Sequence, residues 1–259
     1  MTVMRANAVR QTLRQGGTAY GIMAAEFYTP GFTQIAANAG AEFVIFDGEH
    51  GAIGIDTLKA QIAFARGAGI APFVRVPGLA YHLIAPVLDA GAMGIMVPMM
   101  ETRQQAEDLV RWCRYRPEGV RGLGFGVGHD DYRGGDINAL MKAENERTLV
   151  IALIETAMGI ANADAILSVP GIDVGWLGHY DLTNTMGITA EFERPEFHAA
   201  VTTLLEACGK HGKAPGFVAT NVEMARTWRA KGFRCLCYGT DVGVFQTALG
   251  NALRDLRSD

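Results

Sequence analysis

Eight short apolar runs constrain the fold of this chain more than any other feature of its sequence. Each run is almost continuously apolar instead of alternating between apolar and polar residues. Parallel strands that are covered on both faces have this pattern. The runs are AYGIMAA (19–25), FVIFD (43–47), APFVRV (71–76), GIMVPM (94–99), LVIALIE (149–155), VGWLG (174–178), APGFVA (214–219) and FRCLCY (233–238).

Helix-like segments lie between the runs. Residues 56–66 place apolar side chains on one face, with Asp56 as the predicted N-cap and Gly67 and Gly69 as the predicted stop. Further helices are predicted at 102–115, 194–210, 221–231 and 241–256. Strand–helix alternation repeated eight times predicts an α/β fold, a (β/α)8 TIM barrel. A doubly wound open sheet is the alternative, and its dinucleotide-binding form is disfavoured because no G-x-G-x-x-G follows the first run.

The whole chain, residues 1–259, is predicted to form this one barrel domain, since 259 residues is a normal length for the fold. A long Gly-rich segment at 116–136 interrupts the strand–helix alternation between the fourth and fifth runs. Long insertions of this kind are functional or disordered. Its His129, Asp130 and Asp131 are therefore either part of a solvated, mobile loop or part of a specificity lid or subunit contact over the pocket.

Composition excludes several classes of function. The net charge is −4 without a basic cluster, so nucleic acid and anionic membrane surfaces are poor partners. No apolar run approaches the ~18 residues of a transmembrane helix, and residues 1–17 lack a secretory apolar block. The cysteines lack zinc-site spacing and are predicted to be buried free thiols of a cytoplasmic protein; they are Cys113, Cys208, Cys235 and Cys237.

Polar residues stand at the carboxyl ends of the runs, where a barrel of this kind carries its active site. A charge at one such position can equally mark only the point where a strand meets solvent. Arg75 argues for a shared pocket, because it lies inside an apolar run and an isolated buried charge is costly. The residues at these ends are Glu26, Asp47, Glu49, His50, Glu155, His179, Tyr180, Asp181, Thr220, Thr240 and Asp241.

The residue types in this predicted pocket suit one class of chemistry. Glu155 and Asp181 offer hard oxygen ligands for Mg²⁺ or Mn²⁺ in preference to zinc. Arg75 offers a permanent cation for a carboxylate, a keto oxygen or an enolate, and His50 offers a base that can titrate near neutral pH. Together they favour making or breaking a carbon–carbon bond through a metal-stabilised enolate.

The rival aldolase chemistry uses a Schiff-base lysine. The few lysines of this chain do not follow the carboxyl end of any predicted strand; they are Lys59, Lys142, Lys210, Lys213 and Lys231. A lysine-dependent mechanism is therefore disfavoured.

Seven motifs resemble, in order and spacing, those of the HpcH/HpaI aldolase family, which are metal-dependent class II pyruvate aldolases. They are FDGEHGA, the isolated arginine of VRVPG, LDAGAMGIMVPMMET, RPEGVRGLG, IETAMGIANADAIL, GHYDLTNTMGI and YGTDVG. The resemblance runs roughly from residue 18 to residue 250 and so covers nearly the whole chain.

This resemblance implies a role for each matching residue. His50 is the catalytic base, and Arg75 stabilises the enolate and the transition state. Glu155 and Asp181 bind the divalent cation, which is Mg²⁺ or Mn²⁺, with Co²⁺ as a further option. The backbone amide of Tyr180 binds the carboxylate of the 2-oxo acid substrate.

Further roles follow from the same resemblance. Asp47 lies near a water on the metal, and Asp89 raises the basicity of the catalytic histidine. Because Asp89 precedes the fourth strand, it lies at the opposite face of its own barrel and can reach a histidine only in a neighbouring subunit. Family members resemble hexamers built from dimers, so a homohexamer is expected, with the C-terminal helix packing on a neighbouring subunit. Glu49 either orients His50 or contacts a neighbouring chain.

Two departures from the family pattern affect the substrate pocket. Leu153 stands where many members have a glutamine that contacts substrate, and His179 stands where many have proline. Both leave the metal and enolate residues intact. They leave open which aldehyde the pocket accepts.

The expected function is reversible retro-aldol cleavage of a 4-hydroxy-2-oxo acid to pyruvate, or hydroxypyruvate, and an aldehyde. An oxaloacetate-type decarboxylase or an acyl-CoA lyase would use the same metal–enolate residues, although the latter would need a basic nucleotide-binding surface that the sequence lacks. A keto-acid binding protein without turnover is a third reading, against which the presence of His50 argues.

Overall fold

The computed structural model describes residues 4–258, and its strands form one closed parallel barrel in chain order. The barrel closes where β1 pairs with β8. All eight predicted strands are present, so the TIM-barrel prediction is confirmed and the open sheet is excluded. The strands are β1 (Ala19–Ala24), β2 (Phe43–Asp47), β3 (Ala71–Arg75), β4 (Gly94–Val97), β5 (Leu149–Ile154), β6 (Val174–Leu177), β7 (Ala214–Ala219) and β8 (Cys235–Thr240).

Helices surround the barrel on the outside. They are α1 (Ala8–Arg14), α2 (Phe32–Asn38), α3 (Ile55–Ala68), α4 (Tyr81–Asp89), α5 (Arg103–Cys113), α6 (Ile137–Arg147), α7 (Ala157–Ala161), α8 (Ala163–Leu167), α9 (His179–Thr185), α10 (Pro195–Lys210), α11 (Val222–Ala230) and α12 (Asp241–Arg257), with a 3-10 turn at Gly128–Asp130. Within residues 4–258, none of these helices is both long enough and apolar enough to span a membrane.

The strand residues are apolar throughout because both faces of the barrel wall are buried. In β2, Phe43 and Ile45 point into the barrel interior, whereas Val44 and Phe46 pack against the surrounding helices. Phe43 stacks on Phe73 of the neighbouring strand with ring centroids 5.2 Å apart, which fills the base of the interior. The continuous apolar runs are thus explained by two cores, one on each side of the same sheet.

The predicted ends of the third helix are corrected by the structure. Gly54 is the N-cap of α3, and Asp56 lies inside the first turn, where a carboxylate is favourable beside the helix N-terminus. The helix also continues through Gly67. It ends only at Gly69, whose φ of +75° is the left-handed conformation that ends a helix.

The segment 116–136 is exposed at many positions, but it is not a fully solvated loop. His129 and Asp130 are buried, and the Asp130 carboxylate accepts a backbone hydrogen bond from Gly126 at 2.6 Å. The segment packs against the end of α4, because a Cβ on Gly128 would lie 2.4 Å from the carbonyl oxygen of Ala90. This end of α4 precedes β4, so the segment lies at the amino-terminal face of the barrel. It is therefore not a lid over the pocket of its own barrel.

Asp89, the last residue of α4, belongs to a buried ion-pair network at this same face. Arg121 donates from Nη2 to Asp89 at 2.6 Å and from Nη1 to Glu144 at 3.1 Å. Arg147 donates to the other oxygen of Glu144 at 2.6 Å. As expected from its position before β4, Asp89 lies far from the carboxyl ends of the strands.

Glu144→Gln should lower the melting temperature markedly near pH 7. Burial alone would raise the pKa of Glu144, but the guanidinium groups of Arg147 and Arg121 outweigh it and hold the pKa below its ordinary value of 4.5. The ionised carboxylate therefore stabilises the fold above that value, and this stabilisation is lost as the pH falls through the lower folded pKa. Arg147 would lose its carboxylate partner and Arg121 would keep only Asp89, which costs about 3 kcal/mol, or roughly 6–12 °C in Tm.

Thermal unfolding of the wild type and the variant at pH 7 and at pH 4 measures this difference. Glu146→Gln is the matched control, because Glu146 lies on the same helix with an exposed side chain 3.9 Å from Lys142. We expect the control to melt like the wild type. Equal Tm values for Glu144→Gln and wild type at pH 7 would contradict the stabilising role of the network.

Candidate active site

The carboxyl ends of the strands enclose a cavity of about 320 Å³. Four of the residues predicted from the sequence line it together, namely His50, Arg75, Glu155 and Asp181. The rest of the lining is mainly apolar and consists of Met23, Met96, Leu153, Trp176, Leu177, Gly178, His179, Tyr180 and Val218. This is the end of the barrel at which TIM-barrel enzymes carry their active sites.

Arg75 ends β3 and is held by a carboxylate on the neighbouring strand. Its register partner on β2 is Asp47. Arg75 donates from Nε to Asp47 Oδ1 at 2.9 Å and from Nη2 to Oδ2 at 2.6 Å, which is a two-point fork. Burial alone would raise the pKa of Asp47, but the hydrogen bond and charge of Arg75 hold it below its ordinary value. The expected anionic partner of the arginine is therefore present.

Asp47 also shapes the turn that presents His50. Its Oδ1 atom accepts hydrogen bonds from the backbone N–H groups of Glu49 at 3.0 Å and His50 at 3.2 Å. A glycine is needed at position 48, between Asp47 and Glu49, because a Cβ there would lie 2.7 Å from the carbonyl oxygen of Arg75. Asp47 thus binds both the Arg75 guanidinium and the backbone of the turn, so it holds Arg75 and His50 in position.

Glu49 is a site residue whose role the sequence left open. Its Oε2 atom lies 3.1 Å from Arg75 Nη1 and 3.8 Å from His50 Nε2. Burial raises the pKa of Glu49 above its ordinary value. The side chain of His50 is 67% exposed. Among the ion pairs of the described residues, Glu49 is its one charged neighbour. Because 3.8 Å is too long for a hydrogen bond, Arg75 is the direct ion-pair partner of Glu49, and an action of Glu49 on His50 stays a prediction.

Glu155 follows β5 and is only 3% exposed. Its Oε1 atom accepts a hydrogen bond from the backbone N–H of Met99 at 2.9 Å. Burial raises the pKa of Glu155 to about 7, and the nearby carboxylate of Asp181 adds to the rise. Gly178 makes room for this side chain, because a Cβ on Gly178 would lie 2.4 Å from Glu155 Oε2.

The charges of the cavity fit a divalent cation. Asp47 and Glu49 pair with Arg75, and no ion pair among the described residues involves Glu155 or Asp181. Within residues 4–258 there is no cluster of three His, Cys, Asp or Glu side chains that could hold a metal. Zinc, which takes three or four such ligands, therefore fits poorly. Mg²⁺ and Mn²⁺ fit well, because one or two carboxylates suffice when substrate oxygens and water complete the shell.

Tyr180 and Asp181 lie in the first turn of α9, whose N-cap is Gly178. The first N–H groups of a helix have no intrahelical acceptor, so the backbone amide of Tyr180 can bind an anion. Its phenol side chain is exposed. Leu153, by contrast, is buried on β5 and gives the cavity an apolar wall at the position where many proteins with the resembling motifs have a glutamine.

His179 forms the partition between this cavity and a second, larger one. It is buried with its ring against Phe217 and Phe192, at centroid distances of 4.7 and 5.2 Å. Neither ring nitrogen has a hydrogen-bond partner within the described part of the chain. Burial lowers the pKa of His179 to about 4, so the ring is neutral at pH 7. The second cavity has a volume of about 490 Å³ and lies between the ends of β7 and β8 and helix α12.

Known proteins resemble this chain along nearly its whole length. Residues 26–248 match the sequence profile of the HpcH/HpaI aldolase/citrate lyase family. A hydroxypyruvate/pyruvate aldolase of Roseobacter denitrificans is 32% identical over 92% of this chain and 92% of its own. A protein of the same name from Delftia acidovorans is 34% identical over 95% of this chain and 91% of its own.

A solved structure shows the same likeness in three dimensions. The crystal structure of an HpcH/HpaI aldolase from Desulfitobacterium hafniense superimposes with a TM-score of 0.91 and 26% sequence identity, and covers 96% of both chains. The family profile covers well over half of the sequence, and five of the seven motifs that resemble the family contribute residues to the lining of the cavity. The chain belongs to the HpcH/HpaI aldolase/citrate lyase family.

Proposed function

We propose that this carbon–carbon lyase of the aldolase type catalyses the reversible cleavage of 4-hydroxy-2-oxo acids to a 2-oxo acid and an aldehyde. One observation carries the proposal. Arg75, fixed by the two-point contact of Asp47, lines the same cavity as the unpaired carboxylates of Glu155 and Asp181. A fixed cation beside a divalent-cation site is what an enolate requires.

The reaction follows from the positions of these groups. The carboxylate end of the substrate binds at the start of α9, where the backbone N–H of Tyr180 is available. Glu155 and Asp181 would hold the divalent cation, which supplies Lewis-acid charge at the 2-keto acid when bound. His50 accepts the proton of the C4 hydroxyl, and the C3–C4 bond breaks to release the aldehyde. Arg75 stabilises the negative charge of the enolate until C3 takes a proton.

The donor that we propose is pyruvate or hydroxypyruvate. The two relatives from Roseobacter denitrificans and Delftia acidovorans carry both compounds in their names. A small donor also agrees with the cavity, because its ionisable residues share a volume of about 320 Å³ with apolar side chains such as Leu153 and Trp176.

An oxaloacetate-type decarboxylase is the second candidate, because loss of CO₂ needs only the cation site and Arg75. His50 favours the aldolase, since decarboxylation leaves no hydroxyl proton to remove. A pyruvate-release assay over a panel of 4-hydroxy-2-oxo acids, with oxaloacetate as a parallel substrate, separates the two. We expect pyruvate and aldehyde in equal amounts from the panel. Pyruvate from oxaloacetate alone would overturn the aldolase proposal.

Glu155→Ala and Gly178→Ala should both weaken binding of Mn²⁺. The first removes a proposed ligand, and the second drives a Cβ into the Glu155 carboxylate. We expect at least a 10-fold loss of affinity for Gly178→Ala and a larger loss for Glu155→Ala, as for changes in and around metal ligands. Gly209→Ala, at a glycine of α10 where an added Cβ meets nothing within 4 Å and φ is not left-handed, controls for a general glycine effect on stability. Unchanged Mn²⁺ titrations of the Glu155→Ala protein would remove Glu155 from the cation site.

We also propose that the chain works as a cytoplasmic homo-oligomer, a hexamer built from dimers. Helix α12 presents exposed apolar side chains along one stripe, formed by Phe245, Leu249, Leu253 and Leu256. Asp241 is its one buried residue within the described chain. Asp89 is half-buried at the opposite barrel face, where a neighbouring subunit could meet it. Light scattering coupled to gel filtration tests this proposal, and a monomeric mass would contradict it.

A further inference from the structure

A second polar cavity lies at the opposite end of the barrel from the candidate active site. We call it the basal cavity; it has a volume of about 300 Å³. It lies where β5, β6 and β7 begin, beside α1 and the residues that follow α5. It is lined by Arg10, Leu13, Arg14, Arg114, Glu118, Leu149, Gly171, Ile172, Asp173, Gly212, Lys213 and Ala214.

Cationic side chains dominate the basal cavity, although the net charge of the chain is −4. Its lining includes three arginines and one lysine but only two carboxylates, those of Glu118 and Asp173. Asp173 is already engaged, because it accepts hydrogen bonds from Arg10 Nε at 3.0 Å and from the backbone N–H of Val150 at 3.0 Å. Glu118 is exposed. The cavity therefore carries an excess of positive charge.

Arg114 is the least satisfied of these cations. It is 2% exposed, and its Nη1 atom has no hydrogen-bond partner within residues 4–258. Its Nη2 atom lies 3.4 Å from the carbonyl oxygen of Gly171 and 3.6 Å from Asp173, both at the outer limit of useful contact. Burial lowers the pKa of Arg114 in spite of the Asp173 charge. A buried guanidinium with an unused donor is costly unless an anion completes its contacts.

Lys213 adds a second half-buried cation to the same wall. Its Nζ atom donates to the carbonyl oxygens of Ile172 at 2.8 Å and of Val169 at 3.4 Å. These contacts leave one of the three donors of the ammonium group for a ligand. Arg14 is exposed at the mouth of the cavity. One buried, one half-buried and one exposed cation thus line the same cavity.

We propose that the basal cavity binds a small dianion, either a short dicarboxylate or inorganic phosphate. The planar fork of arginine suits both chemistries, and the volume lies at the lower end of small-ligand sites, which begin at about 300 Å³. Because the ligand would join the amino-terminal ends of three strands, it would stabilise the folded barrel. It would not compete with substrate, which binds at the other end.

Thermal shift and calorimetric titration of the full-length protein test this proposal, with sodium phosphate and sodium malonate as separate probes. Sodium chloride at matched ionic strength is the reference. At a tenfold excess over its Kd, the bound anion should raise Tm by roughly 3–6 °C. Which of the two probes acts identifies the class of ligand.

The variant Arg14→Gln/Lys213→Gln should lose at least 10-fold in affinity, while the buried Arg114 stays in place to preserve the fold. Lys59→Gln/Arg226→Gln is the matched control, because it removes the same charge from exposed positions outside the basal cavity. If the anion bound in the catalytic cavity instead, the basal-cavity variant and the control would show the same Tm response to it. A Tm response no greater than that to chloride, or one equal in variant and control, would overturn the proposal.

Discussion

Arg75→Ala is expected to lower kcat for retro-aldol cleavage by about 10³-fold, as for the loss of a main oxyanion-stabilising group. The enolate charge develops beside this guanidinium, and no other arginine or lysine lines the catalytic cavity of the described chain. Arg75→Lys keeps one positive charge but loses the two-point contact with Asp47, so it should recover only part of the activity. Pyruvate release at saturating substrate and metal measures both variants.

The same substitution should lower stability, which gives the prediction a second readout. Asp47 is 2% exposed and would lose its only charged hydrogen-bond partner. A buried carboxylate without its partner costs about 3 kcal/mol. The double variant Asp47→Asn/Arg75→Ala should regain part of this stability without regaining activity. Arg226→Ala, at an exposed position on α11, is the control, and wild-type kcat in Arg75→Ala would refute the role of the arginine.

His50→Ala should lower kcat for retro-aldol cleavage by about 10³-fold, within the range for removal of a general base. Its Tm should stay at the wild-type value, because the imidazole is mostly exposed and packs against little. Any oxaloacetate decarboxylation should persist within a few-fold, since that reaction has no hydroxyl proton to transfer. Loss of cleavage with retained decarboxylation would indicate that only the base is missing, whereas a damaged site would lose both activities.

Steady-state kinetics of both reactions on the same preparation measure the split. His82→Ala is the matched control, because His82 is an exposed histidine on α4 outside the catalytic cavity. We expect the control to retain both activities. Unchanged aldol cleavage in His50→Ala would mean that another group accepts the proton, and Glu49 would then be the next candidate.

The parts of the fold that were predictable are those with a strong local cause. Strands such as β2 were identifiable because both of their faces are buried. All five residues of β2 are buried, and the four before Asp47 are apolar. The carboxyl-end rule of the fold then placed Arg75 and Glu155 in one cavity. The start of α3 was missed because Gly54 caps that helix without a side-chain signal.

Other features depend on contacts that no local pattern records. The segment 116–136 reads as a polar loop, yet His129 and Asp130 are buried by packing against the end of α4. Glu49 was expected to orient His50 or to contact a neighbouring chain, and its ion pair with Arg75 at 3.1 Å was not foreseen. Asp89 was correctly expected at the opposite face from its place before β4. Its proposed action across a subunit boundary is still a prediction.

The central claim is that cleavage depends on a divalent cation at Glu155 and Asp181. Pyruvate release from a 4-hydroxy-2-oxo acid, measured after prolonged dialysis against EDTA and again after adding Mg²⁺ or Mn²⁺, tests it most directly. We predict loss of cleavage on dialysis and recovery on adding either ion to the wild type, with no recovery in Glu155→Ala. Full activity in the dialysed protein, with no response to added Mg²⁺ or Mn²⁺, would contradict the claim.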